Sequence, residues 1–327
     1  MSARPCMSIV VPVFNVAPYL AGCLDSLVAQ KFRDWEAICV DDGSTDGSGA
    51  ILDRYAAKDA RFKVFHRNNA GVGPARNLAL DAARGKWLLF ADADDLCSPD
   101  MLSRVADLES GHRDAVILAF RQVKFEEGGE PAWSCGSQES EIDLRRSIPS
   151  CTADIGICTV ALRRDMFGDL RFSPVPLGED LLYLVECFAR ADAAVMSDAV
   201  LYGYRQREGS AVHVDMDRER VLKYIEYHEL MFGVLAGCGK EIGLAYTRHR
   251  GNGWIEKCPW FIENLGRSER GETWKKWFDS MAQAKKMKCF SPWQHSVASV
   301  MSILRSPLLA DLFCILPHRL KRLGLHR

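Results

Sequence analysis

The sequence predicts an α/β protein with a doubly wound, mostly parallel sheet and a C-terminal helical extension. Apolar, strand-like runs alternate with amphipathic, helix-like segments through about residue 213, which is typical of parallel strands joined by helical crossovers. Two of these runs end in acidic loops, so carboxylates are expected at one edge of the sheet. Beyond that point only helical periodicity remains. We therefore interpret residues 1–213 as one domain and 214–327 as the extension.

The predicted strands are short apolar runs bounded by polar or turn-forming residues. They cover residues 7–14, 35–40, 62–66, 87–91, 115–120, 155–162 and 194–204.

Helices are predicted between the strands where apolar residues recur at helical spacing. The first begins near Pro18, and others are expected at 75–83 and 181–190. Ser98 and Pro99 are expected to begin another helix, as N-cap and first helical residue. The polar stretch 128–141 is predicted to be a loop.

Composition narrows the class of protein. The 327 residues are 48% hydrophobic and 26% charged, with a net charge of −1, which gives no reason to expect a nucleic-acid partner. The 12 cysteines are scattered without Cys-x-x-Cys spacing, so reduced thiols in a cytoplasmic protein are expected. No signal peptide is recognised, and no apolar run is long enough to span a bilayer.

A buried strand followed by three acids is the most informative stretch. The apolar run 87–91 leads directly into Asp92, Asp94 and Asp95, which a protein core would not tolerate unpaired. Dense carboxylate oxygens at a strand end suit Mg²⁺ or Mn²⁺, particularly when a substrate diphosphate completes the coordination. The alternative is a polar loop that only leads into the next helix.

Four motifs, taken in order, resemble those of family 2 glycosyltransferases. They are Val10-Val11-Pro12-Val13-Phe14-Asn15, Asp41-Asp42-Gly43-Ser44-Thr45-Asp46-Gly47-Ser48, Asn69-Ala70-Gly71-Val72-Gly73-Pro74-Ala75-Arg76-Asn77 and Phe90-Ala91-Asp92-Ala93-Asp94-Asp95. The resemblance covers about residues 7–205. It implies the GT-A fold and a nucleotide-sugar donor.

The resemblance assigns the nucleotide to the first two strand ends. Asp42 matches the acid that accepts a hydrogen bond from the uracil N–H, with Asp41 orienting the loop. The backbone of Pro12 and Val13 would line the nucleotide pocket. The alternative for Asp42 is a turn residue bonded to its own backbone.

Arg76 opens a predicted helix, where a cation is unfavourable unless an anion also binds there. By resemblance it contacts the nucleotide or its diphosphate. The alternative is a surface arginine.

The same resemblance assigns the chemistry to acids. Asp94 matches the direct ligand of a divalent cation (Mn²⁺ or Mg²⁺), and Asp92 would meet the ribose or a metal-bound water. Asp95 fits the pattern as a residue that caps or positions the loop. Asp180 matches the catalytic base, with Glu179 orienting it or touching the acceptor. The alternative is that both acids only stabilise a helix N-terminus.

The segment after the last strand resembles the end of the catalytic domain in non-processive members. Arg205 or Ser210 would close over the diphosphate, and His213 is a weaker candidate. The motif Gln-x-x-Arg-Trp of processive members is absent from the sequence, which favours transfer of a single sugar.

The C-terminal tail combines an apolar stretch with a basic end. Residues 308–316 are mostly apolar, and 318–327 carry basic side chains. Such a helix can lie on an anionic membrane surface, or it can pack on the catalytic domain. Binding to a membrane surface would suit an acceptor carried on a polyprenyl diphosphate. The tryptophans of the extension would line an acceptor groove or belong to its core.

The sequence therefore predicts an inverting, metal-dependent glycosyltransferase that uses a UDP-sugar in surface-polysaccharide synthesis, in the cytoplasm or peripheral on the membrane. Two alternatives stay open: a sugar-phosphate nucleotidyltransferase, and a catalytically silent sugar-binding or assembly protein. The donor sugar, the acceptor and the oligomeric state are not predicted.

Overall fold

The computed structural model of the chain describes residues 4–142, 144, 155–175, 178–207, 217–237, 261–262, 265 and 267–286. The chain divides into two compact units, one of residues 1–144 with 151–213 and one of 145–150 with 214–327.

The first unit alternates strands and helices from its N-terminus. The elements are β1 (Met7–Val13), α1 (Ala17–Val28), β2 (Trp35–Asp41), α2 (Ser48–Lys58), β3 (Phe62–His66), α3 (Val72–Ala82), β4 (Trp87–Phe90), β5 (Leu96–Cys97) and α4 (Met101–Gly111). These are followed by β6 (Ile117–Glu126), β7 (Glu139–Glu141), a 3₁₀ turn (Ile157–Thr159), β8 (Val160–Arg163), α5 (Arg164–Phe167), α6 (Glu179–Arg190) and β9 (Ala194–Gln206).

The strands form one mixed sheet in the order β3-β2-β1-β4-β8-β6-β9-β5, with β7 paired to β9. β1 pairs in parallel with β2 and β4, and β2 pairs in parallel with β3. Six of these strands run in the same direction, while β5, β7 and β8 oppose them. The predicted doubly wound, mostly parallel sheet is confirmed.

The centre of the sheet is buried on both faces. β2 is buried along its whole length, and β1 is buried everywhere except Pro12. Continuous apolar runs are what a strand covered by helices on both sides requires. The order of strands reverses direction between β1 and β4, and ligands of such sheets bind beyond the carboxyl ends at this point.

Three local predictions need correction. Helix α4 begins at Met101, not at Pro99, because the Ser98 N–H donates to Leu201 O at 2.9 Å and so extends the pairing of β5 with β9. The stretch 128–141, predicted to be a loop, ends in the three-residue strand β7. The predicted strand 155–162 begins instead with a 3₁₀ turn, and its pairing starts at Val160.

The described part of the second unit is helical. It contains α7 (Arg218–Gly237) and α8 (Arg267–Lys286). Trp274 and Trp277 are 4% and 0% exposed, so these two tryptophans belong to the core of this unit and do not line a groove. Trp254, Trp260, Trp293 and the tail 308–327 lie outside the described residues. Among the helices that the structure describes, none combines the length and the apolarity that crossing a bilayer would require.

Candidate active site

The acids predicted to form the site lie at the carboxyl ends of two strands and in the first turn of one helix. Asp42 follows β2 and Asp92 follows β4, while Glu179 and Asp180 form the first turn of α6. Because β1, β2 and β4 are parallel neighbours, their ends meet at the switch point. The sequence-predicted residues therefore share one region.

Arg76 joins two of these acids directly. Its guanidinium donates from Nη2 to Asp92 Oδ1 at 2.9 Å and from Nη1 to Glu179 Oε1 at 2.8 Å. Arg76 is 4% exposed, so the alternative of a surface arginine is wrong. Its Nε is buried and has no hydrogen-bond partner among the described residues. Sequence reasoning missed this bridge, because Arg76 and Glu179 are 103 positions apart.

Burial and neighbouring charges act in opposite directions on the pKa values of Arg76 and Glu179. Burial opposes the charge of Arg76, but Asp92 and Glu179 outweigh it and raise the pKa of the guanidinium above its usual value. For Glu179, burial raises the pKa of the carboxyl even though Arg76 acts to lower it. Arg76 thus stays charged and holds the two acids together.

A docked segment brings α6 to this position. Asn77 on α3 makes two bonds with the backbone of Phe172: Nδ2 donates to its carbonyl at 2.9 Å, and Oδ1 accepts from its amide at 2.8 Å. A Cβ on Gly73 would lie 2.4 Å from Ser173 O, so only glycine permits this approach. The Phe172 ring lies 5.3 Å from the guanidinium carbon of Arg76. Gly73 and Asn77, both inside the third motif, therefore position the Glu-Asp pair.

Asp180 lies in the first turn of α6, and its side chain is only partly buried. Its Oδ1 accepts from the amide of Leu181 at 2.8 Å. The residue before the helix, Gly178, has a φ of 68°, a left-handed conformation that favours glycine. Acidic side chains are favoured in the first turn of a helix.

Asp94 is paired with a different arginine. Arg207 Nε donates to Asp94 Oδ2 at 2.7 Å, and the two side chains are 23% and 24% exposed. Arg205 Nε donates instead to the backbone carbonyl of Asp94 at 2.7 Å. Arg207 was not predicted, although it stands two positions after Arg205, a spacing that brings side chains to one face of an extended segment and could have identified it. Ser210 and His213 lie outside the described residues.

Asp95 fastens the acidic motif to β9. Its Oδ2 accepts from the Tyr202 hydroxyl at 2.8 Å, and its Oδ1 accepts from the amide of Arg205 at 2.8 Å. The amide of Asp92 donates to the same Tyr202 oxygen at 3.0 Å. Burial, and then the charge of Asp92, raises the pKa of Asp95 to about 8. Tyr202 is thus a supporting residue that the motifs alone did not reveal.

Asp42 organises the third motif from the end of β2. Its carboxylate accepts from the amides of Ala70 and Gly71, the shortest bond being 2.7 Å from Gly71, and it pairs with Arg67 at 3.2 Å. The alternative of a bond to its own turn does not apply to Asp42. Its amide donates to Val13 O at 2.8 Å, which links the ends of β1 and β2.

The turn-forming role belongs to the neighbouring acid. Asp41 Oδ1 accepts from the amide of Ser44 at 2.9 Å, and Oδ2 pairs with His66 Nδ1 at 2.9 Å. Burial acts to raise the pKa of Asp41, but the bonds from Ser44 and His66 outweigh it and lower the pKa. The same pairing raises the pKa of His66, with a smaller contribution from Asp53.

The acidic motif offers carboxylate oxygens that a divalent cation could bind and that are reachable from solvent. Asp92 Oδ2 and Asp94 Oδ1 have no partner among the described residues, and the two side chains are 38% and 24% exposed. Carboxylate oxygens are the ligands that Mg²⁺ and Mn²⁺ prefer. Within the described ranges no group of three or more acidic, histidine or cysteine side chains could hold a metal ion. Water or a bound phosphate group could supply the further ligands of a cation here.

Comparison with known proteins decides the family. The family model described as Glycosyl transferase family 2 matches residues 8–171, half of the chain. The chain belongs to this family of glycosyltransferases. The uncharacterized glycosyltransferase EpsJ of Bacillus subtilis (strain 168) is 29% identical over 262 residues, which are 75% of this chain and 76% of that protein. The resemblance carried by the four motifs is confirmed.

Solved structures show the same fold. The S. aureus TarS fragment 1–349, solved with UDP-GlcNAc, has a TM-score of 0.67 at 23% identity and covers 93% of this glycosyltransferase and 90% of that fragment. A Pyrobaculum calidifontis mannosyltransferase, PcManGT, solved with GDP-Man and Mn²⁺, has a TM-score of 0.54 at 16% identity, with coverages of 95% and 87%. The expected GT-A fold is confirmed.

Proposed function

We propose that this glycosyltransferase moves one sugar from a UDP-sugar to a hydroxyl of a glycan or polyprenyl-diphosphate-linked acceptor, with inversion, in surface-polysaccharide synthesis. One observation carries the proposal. Arg76 bonds Asp92 of the acidic motif and Glu179, which precedes the candidate base. Donor-binding and proton-accepting carboxylates are thereby held together, as direct displacement requires.

The nucleotide is assigned to the ends of β1 and β2. Pro12 is partly exposed there, and the Val13 carbonyl is bonded to the amide of Asp42. The proposal has Asp42 accept from the uracil N–H while it keeps the amides of Ala70 and Gly71, which a carboxylate with four lone-pair sites can do. Asp41 is assigned a supporting role, because it holds the turn after β2 by accepting from the amide of Ser44. The solved TarS complex with UDP-GlcNAc supports a UDP-linked donor.

The diphosphate is assigned to the acidic motif. Asp94, with Asp92, would hold Mn²⁺ or Mg²⁺, which when bound would neutralise the charge that develops on the leaving diphosphate. Arg205 donates to the backbone carbonyl of Asp94, so its guanidinium lies beside the acidic motif to which the diphosphate is assigned. We assign Arg76 an electrostatic role at the ribose and phosphate side through its bond to Asp92.

Asp180 is the proposed base. The acceptor oxygen attacks the anomeric carbon, its proton passes to the Asp180 carboxylate, and the electron pair of the breaking carbon–oxygen bond leaves with the nucleoside diphosphate. Its partly exposed side chain can reach an acceptor, whereas Glu179 is buried against Arg76. We therefore assign Glu179 to orienting the helix end that carries Asp180.

The remaining assignments concern acceptor and location. We place catalysis in residues 1–213 and contact with the acceptor or membrane surface in 214–327. The basic tail 318–327 would bring the enzyme to the membrane that carries a polyprenyl acceptor. A nucleic-acid partner has no place in this proposal.

The test is release of UDP from a panel of UDP-sugars with Mn²⁺, in the presence and absence of a chelator. We expect one donor to be hydrolysed slowly by the wild type, and expect the activity to disappear with chelator and in Asp94→Asn. Asp169→Asn is the matched control, since Asp169 is an exposed aspartate paired with Arg190. Full activity in chelator, or equal rates in the two variants, would contradict the assignment of Asp94.

A further inference from the structure

Two arginines next to the acidic motif share one aromatic support. The guanidinium carbons of Arg205 and Arg207 each lie 5.3 Å from the centre of the Tyr19 ring, and Arg205 also lies 4.6 Å from the Phe125 ring. The Tyr19 hydroxyl donates to Glu127 at 2.8 Å, which fixes the ring. The ring faces therefore hold both guanidinium groups close to Asp94.

The two arginines hold Asp94 by different atoms. Arg205 bonds the backbone carbonyl, so the Asp94 carboxylate stays free of it. Arg207 bonds one carboxylate oxygen through Nε alone. A single bond from a partly exposed side chain is much easier to exchange than the paired, buried contacts of Arg76.

The Arg207 pair competes with the function assigned to Asp94. A divalent cation at this carboxylate would place two more positive charges beside a guanidinium, and like charges at such short range repel strongly. Arg207 occupies Oδ2 and leaves Oδ1 for the cation, but the two cations then compete for the charge of one carboxylate. Either Arg207 moves or the cation binds weakly.

We propose that Arg207 is an internal counter-ion of Asp94, which it releases when the enzyme takes up a divalent cation, and that the released guanidinium then pairs with the donor diphosphate. This inference rests on the proposed function, because it needs Asp94 as the metal-binding acid. Tyr19 provides the surface along which Arg207 stays close to the site after its release. Arg207 is thus a positioning residue for the empty enzyme and a binding residue for the loaded one.

The proposal predicts opposite effects of one substitution on two ligands. In Arg207→Gln, Mn²⁺ alone should bind about tenfold more tightly, because no internal cation competes for Asp94. UDP in saturating Mn²⁺ should bind about tenfold more weakly, because a partner of the diphosphate is lost. A residue that only supports the fold would weaken both or change neither.

The measurements are Mn²⁺ binding by electron paramagnetic resonance and UDP binding by calorimetry, each with the full-length protein. Arg190→Gln is the matched control, since it removes the same charge from an exposed pair with Asp169 and should change neither affinity. Arg207→Lys keeps the charge and should stay close to the wild type in Mn²⁺ affinity, which also guards against misfolding of the glutamine variant.

The outcomes separate this inference from the proposed function. Wild-type protein that binds Mn²⁺ through Asp94, as shown by loss of binding in Asp94→Asn, together with unchanged affinities in Arg207→Gln, would overturn the role of Arg207 alone. Mn²⁺ affinity that Asp94→Asn does not change would overturn the metal site and, with it, the inference. Tighter Mn²⁺ and weaker UDP binding in Arg207→Gln supports both.

Discussion

Two aspartates of one motif, two positions apart, are each paired with an arginine, and the two pairs differ in how deeply the arginine is buried and in how many acids it bonds. Asp92 is held by Arg76, whose side chain is 5% exposed and also bonds Glu179. Asp94 is held by Arg207, whose side chain is 23% exposed and makes a single bond to the carboxylate. Arg76 is buried, and its second bond, to Glu179, connects Asp92 to a residue far along the chain. Arg207 is more exposed than Arg76 and makes one bond, so a ligand can replace it more easily.

The difference teaches that burial, rather than residue type, decides what an ion pair does. Breaking a buried pair leaves an uncompensated charge in a poorly solvated place, and this is costly. Breaking an exposed pair costs little, because water solvates both groups again. An arginine and an aspartate can therefore form a lasting bridge at one position and an exchangeable contact two positions further along the same motif.

The largest effect should come from breaking the buried bridge. Arg76→Gln leaves Asp92 and Glu179 without their cation, so we expect a loss of about 3 kcal/mol in the free energy of unfolding. Urea denaturation at neutral pH measures it. Arg190→Gln, which breaks an exposed pair, is the control and should cost less than about 1 kcal/mol. Equal losses in the two variants would remove the distinction between the pairs.

A smaller effect is expected at the exposed pair of the same motif. Arg207→Gln should change the free energy of unfolding by only about 0.5 kcal/mol, because the side chains of Arg207 and Asp94 are both partly solvated. The same denaturation experiment tests it. A loss as large as that of Arg76→Gln would mean that Arg207 is part of the structural framework and is not free to exchange.

The smallest effect should come from a pair whose charge can be switched by pH. Pairing with Asp41 and Asp53 raises the pKa of His66, so its stabilising contribution is full below the unfolded pKa of about 6.5 and is lost as pH rises through the folded value. We expect the stability difference between wild type and His66→Gln to be larger at pH 5.5 than at pH 9. Thermal melts at both values measure it, and a difference that grows at high pH would contradict the sign.

The sequence predicted the frame of the site better than its internal connections. Apolar runs located β1, β2 and β4, and the acids after the second and fourth strands were predicted to lie at one edge of the sheet. β5 and β7 have two and three residues, too few for any periodic signal.

The connections within the site could not be read from local patterns. The bonds of Arg76 to Glu179, of Arg207 to Asp94 and of Tyr202 to Asp95 each span more than a hundred positions. They depend on how β9 and α6 are placed in the sheet. No spacing rule reports such contacts, because they are set by tertiary packing.

Asp180 is the residue on which the proposed chemistry depends, and it is tested most directly by separating binding from turnover. With the donor identified by UDP release, we would measure its Kd and the rate of its hydrolysis in wild type and in Asp180→Asn. The account predicts that the Kd stays within about twofold, while turnover falls by about 10²- to 10⁴-fold because the proton acceptor is gone. Turnover within a few-fold of the wild type at unchanged Kd would show that another group takes the proton.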